Sequence, residues 1–263
     1  MTRPEIAGIS PFFIVQDAAG ALSFYRDRLG FEVTFQEPAD DPFFGIVRRG
    51  GAMIMFKGVG VDPLPNYKRE PAARWDAYLY VPDPDALAAE FASRNVEFSE
   101  PLKDTHDGLR GFELKDSDGY VLFFGRPPNT EIMTTTKTKP RVTSLAPQFL
   151  VDDLARSITY YQKLGFTFGE PWDGFYAIGQ LDGLELHLKE APKNDDERRH
   201  RRANDHLDAA AGVDGIEALY ARCTANGATI IKPLTTTPWG TKDFYVEDPD
   251  GYVVCFGGRP AAD

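Results

Sequence analysis

Asp17-Ala-Ala-Gly-Ala-Leu-Ser-Phe-Tyr25 returns 136 residues later as Asp153-Leu-Ala-Arg-Ser-Ile-Thr-Tyr-Tyr161. The copies stay in step beyond that stretch. Leu29-Gly30-Phe31 matches Leu164-Gly165-Phe166 at an offset of 135, and Pro101-Leu102 matches Pro233-Leu234 at 132. Asp116-Ser-Asp-Gly-Tyr120 and Asp248-Pro-Asp-Gly-Tyr252 are also 132 apart. So steady an offset means a duplicated domain, and repeats on this scale decide the architecture before any element is assigned. Between the copies, residues 127–141 are rich in Pro, Thr and Lys, have no apolar period, and read as an extended linker. The domains fall at 4–126 and 142–260.

A finer repeat lies within each copy. Residues 6–15 read as a strand, and apolar positions at Ala21, Leu22, Phe24, Tyr25 and Leu29 give helical spacing over 18–29. Gly30 sits where a helix-ending glycine belongs. Strand patterns follow at 31–37, 43–49 and 52–57. The order then restarts with a strand at 76–81, a helix at 84–94, and strands near 96–99, 109–115 and 120–124. The second copy repeats this with helices at 153–164 and 214–226. The expected fold class is α+β, four βαβββ units in one chain.

Composition narrows the function. Forty acidic against 29 basic residues give a net charge of −11, which argues against nucleic-acid binding, since that needs Lys and Arg on phosphates. The acidity is spread, with −6 on residues 1–126, +2 on the linker and −7 on residues 142–263. Two cysteines make no disulfide framework. There is no apolar leader and no apolar run long enough to span a bilayer, so a cytoplasmic protein without membrane partners is expected. The aromatic content of 19 Phe, 11 Tyr and 3 Trp suits either pocket walls or a closed core, with the total favouring a pocket.

Val-x-Asp before the first helix, a Tyr…Leu-Gly-Phe helix exit and Asp-x-Asp-Gly before the last strand together resemble the vicinal oxygen chelate superfamily. That group includes glyoxalase I, extradiol dioxygenases and bleomycin-resistance proteins. Pro238-Trp239-Gly240 ahead of Phe244-Tyr-Val-Glu-Asp-Pro-Asp-Gly251, with the openings Ser10-Pro11-Phe12 and Ala146-Pro147-Gln148, is most similar to the bleomycin-resistance branch. The resemblance implies two curved mixed sheets around concave cavities. It also implies that one chain builds what single-domain relatives build as a dimer, leaving monomer or homodimer open.

Enzymes of the superfamily hold one divalent metal on His and Glu at fixed strand positions. Those positions are here Ser10, Met55, Asp76 and Phe123 in the first domain, and Ala146, His187, Asp208 and Cys255 in the second. The first set offers one carboxylate, which is no metal site. The second offers His187 and Asp208, with Cys255, as the alternative for one divalent metal; the leading expectation is no cofactor. The four histidines show no metalloprotease spacing, and there is no nucleophile elbow or phosphate-binding loop, so no catalytic residue is assigned.

Strand alternation then proposes the cavity lining. It would be Ser10, Phe12, Met55, Asp76, Tyr78, Tyr80 and Phe123 in the first domain. In the second it would be Gln148, Glu185, His187, Asp208, Ala210 and Cys255, with Trp239 and Trp172 at the rim. The competing reading is that these aromatics fill a closed core. Asp195–Asp205, with five consecutive basic residues including His200, reads as a solvated loop or as a lid that brings Arg198, Arg199 or Arg201 to an anion. The function expected from the resemblance is metal-independent binding or sequestration of an aromatic or cationic compound, as in antibiotic resistance. The alternative is a metal-dependent lyase, isomerase or dioxygenase using the second domain.

Overall fold

The Asp of each repeated opening motif is a helix cap. In a computed structural model describing residues 5–73, 75–127, 143–192, 207–238 and 240–260, Asp17 accepts from the Gly20 N–H and Asp153 from the Arg156 N–H, at 3.0 and 2.9 Å. Each satisfies a donor that the first helical turn leaves orphaned, worth about 0.5–2 kcal/mol. The helices they open are α1 (Ala18–Asp27) and α4 (Leu154–Leu164). Asp83 caps α3 (Pro84–Ser93) in the same way. At α5 (Ile216–Ala225) the cap position is Gly215, in the left-handed conformation and without a side-chain bond. A one-turn helix, α2, spans Asn66–Arg69.

The element order is strand, helix and three strands, written four times. The first unit is β1 (Glu5–Val15), α1, β2 (Glu32–Glu37), β3 (Phe44–Arg49) and β4 (Ala52–Gly58). The second has β5 (Ala77–Tyr80), α3, β6 (Glu100–Asp104), β7 (Arg110–Lys115) and β8 (Val121–Arg126). The third has β9 (Ser144–Val151), α4, β10 (Thr167–Phe168), β11 (Tyr176–Leu181) and β12 (Leu184–Glu190). The fourth has β13 (Ala209–Asp214), α5, β14 (Ile230–Thr236), β15 (Lys242–Glu247) and β16 (Val253–Gly258). The α+β class and its fourfold repetition hold.

One strand lies apart from its expected place. The alternation at 96–99 suggested an edge strand, but β6 begins at Glu100 and runs through Pro101. Its register is set by the turn at 105–109, which pairs Asp104 with Arg110. An edge strand tolerates the proline because its missing N–H is not needed on the open side.

The chain divides into two compact bodies, residues 13–145 and residues 1–12 with 146–263. The second body takes in the N-terminal segment because the first half of β1 pairs antiparallel with β13, Ser10 opposite Ala210. In the first body β2, β3 and β4 are antiparallel, while β5 pairs parallel to β8 and β8, β7 and β6 continue antiparallel. The second body repeats the scheme with β9–β12 parallel, β10, β11 and β12 antiparallel, β13–β16 parallel, and β14, β15 and β16 antiparallel.

In each body the helices and one face of each set of strands make a single apolar core. Tyr25, Leu29, Phe56, Phe91, Phe112 and Phe124 anchor it in the first, and Tyr161, Leu186, Leu219, Phe244 and Phe256 in the second. Strand alternation leaves the opposite faces for function. The linker read at 127–141 and the basic segment at 195–205 lie outside the described residues, apart from Pro127. No helix among the described residues is long and apolar enough to cross a membrane.

Candidate functional site

On β13, Ala209, Ala211 and Val213 point into the core, so Ala210 and Gly212 occupy the other face. The same alternation puts Cys255 and Gly257 on that face of β16, Tyr245 and Asp243 on that of β15, and Gly8 and Ser10 on that of β1. Strand pairing aligns them into two cross-strand rows. One runs Ser10, Ala210, Cys255, Tyr245, Lys232; the other runs Gly8, Gly212, Gly257, Asp243, Thr235. Within these two rows three adjacent strands present Gly, Ser, Ala and Cys across a floor about 10 Å wide, given the usual strand spacing, with Ser10 and Cys255 buried. A Cβ built on Gly8 or Gly212 would meet no atom within 4 Å, so the space above them is open.

One side of the floor is walled. The Tyr245 ring stands beside Cys255, and the Lys232 ammonium lies 4.4 Å from its centroid and 3.3 Å from its hydroxyl. Asp243 accepts from the Thr241 hydroxyl at 3.0 Å, and partial burial raises its carboxyl above the usual range. Burial also pushes the Cys255 thiol up strongly, with the Asp243 charge adding to it, so it stays neutral and is not a nucleophile. A flat floor, an aromatic wall, a carboxylate and an ammonium suit a planar ligand with polar substituents.

A second constellation lies on β9, β11 and β12. His187 is buried, faces Gln148 on one neighbour strand and Ile178 on the other, and its Nδ1 is 2.6 Å from the Tyr176 hydroxyl. Its Nε2 is 3.7 Å from the Glu185 carboxylate. In the first body, Tyr78, Phe123 and Glu113 align across β5, β8 and β7. The Trp75 ring stacks on Phe123 with centroids 4.2 Å apart, and its indole N–H donates to Glu113 at 2.8 Å. Tyr78 and Phe123 are almost wholly buried, so here the aromatics form a packed layer.

The residues expected at the site from sequence divide accordingly. Ser10, Ala210 and Cys255 share the small-residue floor, and Phe12 follows on the same face of β1, buried. Gln148, Glu185 and His187 share the second constellation. Met55 is half-buried opposite Ile46, which in turn faces Phe35. Trp172 is exposed beside Tyr176, and Trp239 lies outside the described residues.

Asp76 and Asp208 bond backbone. The Asp76 carboxylate is buried and accepts the N–H groups of Asn66 and Val121, at 2.8 and 2.7 Å. Asp208 accepts the Val253 N–H at 2.8 Å. Both tie down the start of the adjacent strand, which is what a carboxylate preceding β5 or β13 can do for its neighbour.

The divalent metal implied by the resemblance does not fit these side chains. His187 is on β12 and Asp208 ahead of β13, in different sets of paired strands, and the Asp208 carboxylate bonds backbone instead. Among the described residues no three His, Cys, Asp or Glu side chains gather where an ion could be held.

Sequence reading missed Tyr176, Tyr245, Lys232 and Asp243. Alternation on 242–247, with Phe244 and Val246 apolar and Asp243 and Tyr245 between them, was the available signal. Lys232 escapes it because β14 carries register shifts on both sides of that residue.

A full-length solved structure agrees with the fold. A mutant of glyoxalase I from Zea mays superposes with a TM-score of 0.66 at 17% identity, covering 97% of this chain and 94% of that one. A bleomycin-binding protein from Streptomyces verticillus, complexed with copper(II)-bleomycin, matches 48% of this chain and 98% of its own at 27% identity and a TM-score of 0.37. A bleomycin resistance determinant encoded on the transposon Tn5 matches 43% of this chain and 95% of its own at 19% identity and a TM-score of 0.36. No curated protein matches. The Glyoxalase/Bleomycin resistance protein/Dioxygenase superfamily matches twice, over residues 8–124 and 143–256, and the chain belongs to that superfamily.

Proposed function

We propose that the protein binds a small planar aromatic compound, cationic or polar, without a resident metal, on the floor formed by β1, β13 and β16. The observation that carries this reading is the pair of cross-strand rows. Of the six small residues, Gly8, Ala210 and Gly212 leave an open area, Ser10 and Cys255 lie buried beside it, the Asp243 carboxylate lies over Gly257, and Tyr245 and Lys232 edge it. A ring laid there buries one apolar face against the floor and an edge against Tyr245, worth about 25 cal/mol per Å² removed from water. Asp243 and Lys232 would then orient its polar edge. The overall acidity favours approach of a cation, an effect that salt weakens. Sequestration of such a compound, as in antibiotic resistance, is the role in keeping with binding that lacks a nucleophile.

Thermal denaturation with bleomycin, the planar cation proflavine and an uncharged planar aromatic tests this. Stabilisation that grows with the concentration of at least one compound is expected, and follows ligand linkage. No shift with any of them removes the reading.

A further inference from the structure

We infer that the ligand selected by the floor is an uncharged planar heterocycle with a ring N–H and a ring C=O side by side on one edge, a cyclic amide or imide, which gives its N–H to Asp243 and accepts from Lys232. This rests on the floor of β1, β13 and β16 being the binding surface, and it names the ligand class which that surface favours.

Three observations combine. The first is the placement of the carboxylate. Asp243 accepts from the Thr241 hydroxyl through Oδ1, and among the described residues its Oδ2 accepts no hydrogen bond. The Thr241 hydroxyl is itself held, 2.9 Å from that of Thr237, and the Thr237 N–H donates to the Thr241 carbonyl at 2.8 Å across the turn between β14 and β15. The carboxylate lies over Gly257, where a Cβ would come within 2.9 Å of Oδ1. Gly257 pairs with Gly212, above which the space is open. A ring resting on Gly212 therefore has a positioned acceptor at its edge.

The second is a cation without a carboxylate partner. The Lys232 ammonium rests on Tyr245, 4.4 Å from the ring centroid and 3.3 Å from the hydroxyl. It comes within 4.0 Å of no carboxylate among the described residues, Asp243 included. Its charge still reaches Asp243, drawing down a carboxyl that burial raises. Two opposite charges are thus near one another yet unpaired. A purely cationic ligand meets the repulsion of Lys232 and a purely anionic one that of Asp243, whereas an N–H beside a C=O satisfies both.

The third is the first copy, which makes such a contact within itself. Strands β5, β7 and β8 pair in the same register as β13, β15 and β16, at an offset of 132. There the Phe123 ring lies over Gly111 and Gly125, so that a Cβ on either would run into it. Trp75 stacks on Phe123 and gives its ring N–H to Glu113 of β7 at 2.8 Å. In the second copy Cys255 and Leu207 stand at the positions of Phe123 and Trp75, and Asp243 at that of Gly111. The second copy keeps a carboxylate on the equivalent strand, but no ring N–H among the described residues reaches it.

The probe is lumichrome, an uncharged planar fluorophore with an imide edge, set against 1,3-dimethyllumichrome, which keeps the ring and both carbonyls but has no N–H. In fluorescence titrations of the full-length protein, lumichrome is expected to bind at least about tenfold more tightly than the dimethyl compound, since a site built to hydrogen-bond an N–H rejects an analogue lacking it. Asp243→Ala should weaken lumichrome to the level of the dimethyl compound and leave the latter unchanged. Lys232→Met should weaken both by a similar factor. Both side chains lie on the face turned from the core, and near-ultraviolet circular dichroism confirms the fold of each variant. The inference is overturned by equal affinity for the two compounds, by discrimination that survives Asp243→Ala or vanishes there because the dimethyl compound tightens, or by unchanged binding in Lys232→Met. Proflavine separates that failure from failure of the floor. Proflavine binding that Ala210→Phe weakens, without discrimination between the lumichromes, removes the ring-edge assignment alone, whereas no binding of any of the three compounds removes both.

Discussion

Tyr161 donates its hydroxyl to Asp248 at 3.0 Å, and in the other repeat Tyr25 donates to Asp116 at 2.9 Å. These bonds join the two motifs by which the duplication was recognised, the helix that ends in Leu-Gly-Phe and the Asp-x-Asp-Gly turn. Each aspartate also accepts two backbone N–H groups of its own turn, from Asp250 and Tyr252 or from Asp118 and Tyr120. The closing tyrosines then stack on the first strand of their repeat, Tyr252 on Phe149 and Tyr120 on Phe13, with ring centroids 4.2 and 4.0 Å apart.

Tyr161→Phe keeps the ring and removes the donor, so a buried carboxyl loses one of its partners. The expected cost is about 1–3 kcal/mol of stability, measured by urea denaturation. Tyr245→Phe, on a strand face turned from the core, is expected to change stability by less than about 0.5 kcal/mol.

The same aspartates make stability depend on pH. Burial outweighs their hydrogen bonds and pushes Asp116 and Asp248 up to about 7. In the unfolded chain a carboxyl titrates near 4, so between about pH 4 and pH 7 the native state holds protons that the unfolded state has lost. These groups therefore make the protein less stable as pH rises through that window, with the full penalty present above it. Melting temperatures from pH 5 to pH 8 should fall in the wild type. The fall should be shallower in the Asp116→Asn, Asp248→Asn double variant; an equal slope would refute the assignment.

Asp76→Ala and Asp208→Ala are expected to destabilise the protein, because their carboxylates hold strand-start backbone. Asp76 leaves two buried N–H groups orphaned, a loss of about 2–4 kcal/mol, and Asp208 loses less because it is only partly buried. Treating the wild type with a chelator should leave the melting temperature unchanged. A fall matching that of Asp208→Ala would instead mark the carboxylate as a metal ligand.

Local chemistry explains why so much of the fold was legible. Asp17 and Asp153 announce caps, Gly165 ends α4 at φ 105°, and apolar alternation marks most strands. The strand β6 was misplaced because its position depends on a turn and on pairing with β7, neither of which is a property of residues 96–104 alone. The site was legible only in part. Ser10, Ala210, Cys255 and His187 sit on predicted faces, but whether a carboxylate looks into a site or down onto backbone depends on the neighbouring strand. That is why the backbone bonds of Asp76 and Asp208 are not legible in the sequence. The Tyr176–His187 bond likewise arises from β11–β12 register, which places Ile178 rather than Tyr176 opposite the histidine and brings the tyrosine in diagonally.

Fluorescence titration of proflavine against the wild type and Ala210→Phe tests the central claim, that the small-residue floor of β1, β13 and β16 is the binding surface. The account predicts saturable binding to the wild type, weakened at least about tenfold when a phenyl ring fills the floor, or about 1.4 kcal/mol. Equal affinity in the two proteins, or no saturable binding to the wild type, would contradict it.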